Sequence, residues 1–260
     1  MPRLRVIFAL LAALPALSGR SRAAPALALG DGEALTYHVS WVIIPGAGLI
    51  KVAAKAVRDP QGRAQMRIVT TTSTRGLAWL ILPFKAQAES LYDAATGRLL
   101  WLGETSDTRS RKAADTVTFD YARRQAQFTA SLPPEPARIL PLPPGDPTDL
   151  ITCLLLARTW NLQPGQARDA LVLFGDEFYE LTIHAVAQEE ITTNLGTFQT
   201  VLLEPRMEKT PPKGMFKRGS TVKVWISQDE RRLPVRFQVS FNFGSGLATL
   251  ADYHPPVAAK

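Results

Sequence analysis

Leu35-Thr-Tyr-His-Val-Ser-Trp-Val-Ile43 is the stretch that decides the fold. Successive side chains of an extended chain point to opposite faces, so Leu35, Tyr37, Val39, Trp41 and Ile43 share one side and Thr36, His38, Ser40 and Val42 the other. Pro45-Gly-Ala-Gly48 then reads as a turn. Ile50, Val52, Ala54 and Ala56 alternate with Lys51 and Lys55 to make a second strand, which Asp59-Pro-Gln-Gly62 closes. A hairpin meander is the expectation.

Runs rich in Val, Thr, Phe and Tyr continue at 66–72, 86–92, 99–105, 116–119, 125–130, 171–174, 178–187, 197–203, 220–226, 234–241 and 247–253. Most are separated by Gly, Asp, Asn or Pro. This spacing predicts a mainly β, antiparallel fold, either a strongly curved sheet or an open barrel or sandwich. Two segments depart from the pattern. Asp146-Pro-Thr-Asp149 carries a capping residue, a proline at the first helical position and an acid soon after, predicting one packed helix over 147–160. Leu150, Ile151, Leu154, Leu155 and Trp160 would cover most of its circumference, so it belongs against the sheet. Gly76-Leu-Ala-Trp-Leu-Ile-Leu-Pro-Phe84 is too short to stand as an isolated helix, and Pro83 ends it. A single helical turn over 76–83 and a hydrophobic loop across the end of a barrel both fit. Seven prolines between 132 and 147 imply an extended, solvated connector joining two strand-rich halves. The halves are expected to form one domain over 30–254, followed by a tail at 255–260.

The amino terminus predicts the compartment. Arg3 and Arg5 precede an apolar run over 6–17, and 18–28 is rich in small residues, the pattern of a secretory leader ending between 23 and 28. The expected location is therefore periplasmic or secreted, and no later stretch is apolar enough to predict a transmembrane helix. The formal charge of +7 is carried largely by this leader, since Arg3, Arg5, Arg20 and Arg22 lie within it and no acid does. Nucleic acid is not an expected partner, because the basic excess is mostly removed with the leader. The single cysteine, Cys153, sits among leucines and reads as a small buried hydrophobe.

Three blocks taken in order resemble a known family. They are Glu33-Ala-Leu-Thr-Tyr-His-Val-Ser-Trp41 with the following Ile-Pro-Gly-Ala-Gly, Tyr179-Glu-Leu-Thr-Ile183 with Glu190-Ile and Leu195-Gly-Thr-Phe-Gln-Thr200, and Val224-Trp-Ile-Ser-Gln-Asp-Glu-Arg-Arg-Leu-Pro-Val235. Together they are similar to bacterial exported proteins of the domain-of-unknown-function 3108 family, from about Gly30 to Tyr253. The resemblance implies export and an antiparallel β fold, and it brings no catalytic residues with it. The matched positions read as structural: Gly46 and Gly48 suit a turn, Leu195-Gly196 a hairpin and Gln228-Asp229-Glu230 a reversal.

No catalytic, metal-ligating or cofactor-binding residue is expected. A Gly-x-Ser-x-Gly elbow, His-x-x-x-His or Cys-x-x-Cys spacing and a phosphate-cradling glycine loop are all missing from the sequence. His38, His184 and His254 read as strand-surface or tail residues, and the doublets Asp176-Glu177 and Glu189-Glu190 point to opposite faces of their strands. Two features stand above this background. Tyr37, Trp41, Trp79, Phe84 and Trp101 would line an apolar cavity if the sheet curls, with the segment around Trp79 as a lid, although aromatic residues also fill ordinary cores. Lys213, Met215, Phe216, Lys217 and Arg218, within a loop broken by Pro and Gly, are the expected membrane or partner loop, unless Met215 and Phe216 fold back on the sheet. The function expected is a non-enzymatic binding protein for a lipid-like ligand or another envelope component. An envelope hydrolase whose acids converge only in three dimensions and a structural interaction module are the alternatives.

Overall fold

The computed structural model describes residues 27–258 except 43, 213–215, 217–219 and 242–243. The expected leader at 1–23 lies outside the described residues. Alternation becomes strand almost everywhere it is read. In chain order these are β1 (Ala34–Trp41), β2 (Ile44–Arg58), β3 (Ala64–Thr74), β4 (Phe84–Asp93), β5 (Leu99–Thr108), β6 (Lys112–Asp120), β7 (Gln125–Leu132) and β8 (Arg138–Pro141). They are followed by β9 (Thr148–Asp149), β10 (Ala167–Phe174), β11 (Glu177–Thr193), β12 (Gly196–Arg206), β13 (Thr221–Ser227), β14 (Pro234–Phe241) and β15 (Gly244–His254). Helix α1 (Gly76–Ile81) lies between β3 and β4, and α2 (Leu150–Leu156) follows β9 and runs into a 3₁₀ turn at Ala157–Thr159.

All fifteen strands form one sheet, in the order 8-7-6-5-4-3-2-1-15-14-13-12-11-10-9. Each half is a meander, and β1 joins them by pairing antiparallel with both β2 and β15. The pairing is antiparallel throughout except between β9 and β10. The sheet is not closed into a barrel, because its edge strands β8 and β9 do not pair with each other. Its two ends nonetheless face one another. Arg138 of β8 bridges Asp176 beyond β10 at 2.6 Å, and Phe119 of β6 meets Phe178 of β11 edge-on at 6.5 Å.

Helix α2 fills the space this curl creates. Its Leu155 packs with Leu35, Ile68, Leu99 and Leu102 of the first half. Leu150, Cys153 and Leu154 pack with Val172, Leu181, Ile183 and Val224 of the second. Each such side chain contributes about 1.5–3 kcal/mol on burial, so a seven-residue helix is held by the sheet and not by its own propensity. Burial first, and then Asp149, pushes the Cys153 thiol up to about 12, as suits a packing residue.

Two local expectations are corrected. The reversal between β1 and β2 falls between Trp41 and Ile44, not at Pro45–Gly48. There β2 bulges, with Gly46 at φ +63°, because the extra residues opposite Val39–Trp41 need a left-handed position. The helix starts at Leu150 and not at Pro147. Asp149, whose side chain accepts a hydrogen bond from Thr152 N at 2.8 Å, is the cap in place of Asp146, leaving Thr148 and Asp149 to pair with Val172 and Leu173. The proline-rich connector 132–147 is extended and largely exposed over 132–139, and within it Arg138–Pro141 also pairs with β7. A strand at the sheet edge tolerates Pro141 because the N–H that proline lacks would face solvent. The segment over 76–83 takes the helical alternative, as α1.

Candidate functional site

The inner face of the first half changes character along its strands. Near α2 it carries Met66, Ile68, Tyr92, Leu99, Leu102 and Val117, all buried. Toward the other end the same face carries Thr70, Thr72 and Thr74 on β3, Ala88 and Ala86 on β4, Glu104 and Ser106 on β5, and Asp115 and Ala113 on β6. The register confirms the match: Thr70 lies opposite Ala88, Ala88 opposite Glu104, and Glu104 opposite Asp115. Small side chains at facing positions leave a close-packed interior unfilled.

Two adjoining cavities result, sharing Thr72 and Phe84. One, of about 450 Å³, is walled by Val39, Trp41, Ile44 and Ala47, with Ala78, Ile81 and Leu82 of α1 at its edge. The other, of about 400 Å³, runs over Glu104 and Asp115 beneath Ile151 of α2 and Phe174 of β10. Volumes of this order suit a small organic ligand, and the first is lined mainly by hydrocarbon.

Glu104 is the chemically distinctive group. Burial, reinforced by Asp115 and then by Asp149, pushes its carboxyl up to about 7. Asp115 is also raised, by burial first and then by Asp176. The folded chain therefore binds the Glu104 proton more tightly than the unfolded chain does. Its cost to stability is absent below the ordinary carboxylate range and grows as pH rises from there through about 7. Glu104→Gln is expected to flatten that dependence and to stabilise the protein by about 2–3 kcal/mol at about pH 8. Urea midpoints of both forms across this range check it. Parallel pH profiles would show that Glu104 is ordinarily solvated.

Two buried polar anchors hold the cavity roof. Asp149 Oδ2 accepts hydrogen bonds from Ser90 Oγ and Tyr92 OH, both at 2.8 Å, and Tyr92 OH lies 2.5 Å from Thr148 Oγ1. Burial first, then the Asp149 charge, raises the Tyr92 phenol well above its ordinary value, so it stays a donor. Past α2, Arg158 pairs with the buried Glu33 at 2.7 Å and donates to Arg231 O at the same distance.

The aromatic set expected from sequence divides. Trp41 and Phe84 line the apolar cavity. Tyr37 is core instead, 1% exposed with its hydroxyl donating to Pro234 O at 2.9 Å. Trp79 lies on α1 beneath the Lys85 ammonium, 5.3 Å from its ring, and is not among the cavity residues. Trp101 is on the face opposite Leu102, lying over Gly103, where an added Cβ would fall 2.3 Å from the indole. Of the basic loop, Lys213, Met215, Lys217 and Arg218 lie outside the described residues, while Phe216 packs on the second core cluster. The acid doublets are split between partners: Glu189 accepts from Trp225 Nε1 and Glu190 from Gln199 Nε2, both at 2.7 Å. His38 is exposed, and His184 and His254 sit beside Glu208 and Asp252. Sequence reasoning passed over Glu104 and Asp115, and read Asp149 only as an acid in the first turn of the helix. The signal for Glu104 was its spacing of two from Leu102, which puts a carboxyl on the core face of a strand.

Comparison with known proteins adds family and fold. The family model described as "Protein of unknown function (DUF3108)" matches residues 36–251. No curated protein matches the chain. Among solved structures it is similar to the crystal structure of a beta-barrel-like protein of domain of unknown function DUF1849 from Brucella abortus. The TM-score is 0.53 at 9% identity, over 88% of this chain and 98% of that one, a likeness of fold alone.

Proposed function

The chain belongs to the DUF3108 family, whose description names no activity, and from its own geometry we propose that it is a binding protein working outside the cytoplasm, seating the hydrocarbon part of an amphiphile in the trough of its curved sheet. The observation that carries this is the 450 Å³ cavity walled by Val39, Trp41, Ile44, Ala47 and Phe84, with a second volume adjoining it at Thr72 and Phe84. Burying an alkyl chain there gains about 0.8 kcal/mol per methylene. The leader pattern at 1–23 is what supports that compartment.

A polyene fatty acid whose fluorescence rises in apolar surroundings tests it. Saturable binding is expected, weakened about tenfold or more by Thr72→Trp, which places an indole where the two cavities meet. Absence of saturable binding to the native chain, together with no lipid in native mass spectra of the purified protein, would overturn the proposal.

One observation favours a second function, an envelope hydrolase: a carboxyl near neutral pKa beside a second acid in an open cleft is an arrangement suited to general acid–base work. The variant Glu104→Gln separates the two. Under the binding function it keeps saturable fatty-acid binding, because Glu104 does not line the apolar cavity, and under the enzymatic one it abolishes turnover of an ester or glycan substrate.

A further inference from the structure

We propose that α1 and the turn beside it form a docking surface for an anionic lipid bilayer. The proposal goes beyond the binding trough and stands whether or not the trough is loaded, because its principal apolar residues, Leu77 and Leu80, are not cavity residues.

The placement follows from the meander. Strands β1, β3 and β5 run toward one end of the sheet, and β2, β4 and β6 leave it, so the β1–β2 reversal, α1 and the β5–β6 turn are neighbours there. No residue of α1 is buried. Leu77, Leu80 and Ile81 are each 68% exposed, Leu82 is 62% exposed and Val42 58%. A contiguous apolar patch of this kind on a protein surface marks an interaction site.

The helix is held in that orientation. Thr74 Oγ1 donates to Leu82 O at 2.9 Å and accepts from Phe84 N at 3.0 Å, and Arg109 reaches across from the β5–β6 turn to Leu80 O at 2.7 Å. These bonds supply what a six-residue helix without a side-chain cap lacks.

Charge identifies the partner. Residues 74–86 and 106–113 contain Arg75, Lys85, Arg109, Arg111 and Lys112 against one acid, Asp107, which pairs with Lys112 at 3.3 Å. Lys85 lies over the Trp79 ring and Arg109 is bonded to α1 itself, so the cations border the leucines directly. Apolar side chains that enter the acyl boundary, ringed by cations at headgroup height, match an anionic membrane surface. A protein partner fits less well, since a stable protein interface buries about 1,200–2,000 Å² and this patch is little more than one helical turn.

Co-sedimentation of the full chain with vesicles tests the proposal, comparing phosphatidylglycerol mixed with phosphatidylcholine against phosphatidylcholine alone. Binding to the anionic vesicles only, weakening with salt, is expected. Leu77→Glu with Leu80→Glu is expected to lower partitioning about a hundredfold, and Arg75→Gln with Arg111→Gln about thirtyfold. All four side chains are exposed, so an unchanged urea midpoint shows that the variants fold. Equal binding to both vesicle types, or none, overturns the proposal. So does a dimer in sedimentation equilibrium that the leucine variants dissolve, which would make this face an interface between copies. Fatty-acid binding retained by the leucine variants separates failure here from failure of the trough.

Discussion

Asp149→Ala is expected to lower the unfolding free energy by about 3–5 kcal/mol, the sum of a lost helix cap and of buried donors left without an acceptor. Asp149 is 6% exposed and serves three groups at once: Thr152 N at the start of α2, and the hydroxyls of Ser90 and Tyr92 on β4. Alanine keeps the backbone but strands Ser90 Oγ and Thr152 N in a region that water does not reach, and leaves Tyr92 OH with Thr148 Oγ1 alone. Asp149→Asn retains an acceptor for Thr152 N and loses about 1–2 kcal/mol. Urea unfolding followed by tryptophan fluorescence ranks the two variants, and equal midpoints for alanine and wild type would refute the assignment. A functional effect accompanies the loss. Ile151 roofs the cavity over Glu104, so loosening the start of α2 is expected to weaken fatty-acid binding even where the chain remains folded.

Arg158→Met is expected to cost about 3–5 kcal/mol, because it leaves the Glu33 carboxylate buried without its cation. The Glu33 side chain is 3% exposed and that of Arg158 12%, so solvent does little to screen the pair. The informative comparison is the double variant. Replacing Glu33 with Leu at the same time removes both charges, and most of the lost stability is expected to return. Glu33 also accepts from Gly30 N at 2.9 Å and Arg158 donates to Arg231 O, so the recovery is incomplete. A double variant no more stable than Arg158→Met would show that the two residues act independently. The pair joins the turn after α2 to the chain just ahead of β1, closing the link between the helix and the centre of the sheet.

Strands were legible because alternation is a local property. Two residues apart means the same face, so Leu35, Tyr37 and Val39 declare a strand without reference to the rest of the chain. The same rule placed Leu102 and Glu104 together, yet the carboxyl drew no attention, since a strand pattern does not say which face is the inner one or what stands across from it. Trp101 shows the converse: an aromatic residue among candidates for a cavity, but one position out of phase with the core face. The helix was found and its first turn misplaced, because Asp146 and Asp149 are both capping residues. The choice between them rests on Ser90 and Tyr92, more than fifty residues upstream.

By itself the sequence determined that this chain makes many short antiparallel strands with one apolar helix packed on them, because side-chain alternation, turn chemistry and apolar coverage act between near neighbours. The tertiary structure alone decided that β1 joins both halves, that the sheet stays open around α2, and that small side chains of β3 to β6 meet on one face to leave a trough lined by Glu104 and Asp115. Those features depend on register and curl, which bring together side chains whose separation along the chain carries no signal of their contact.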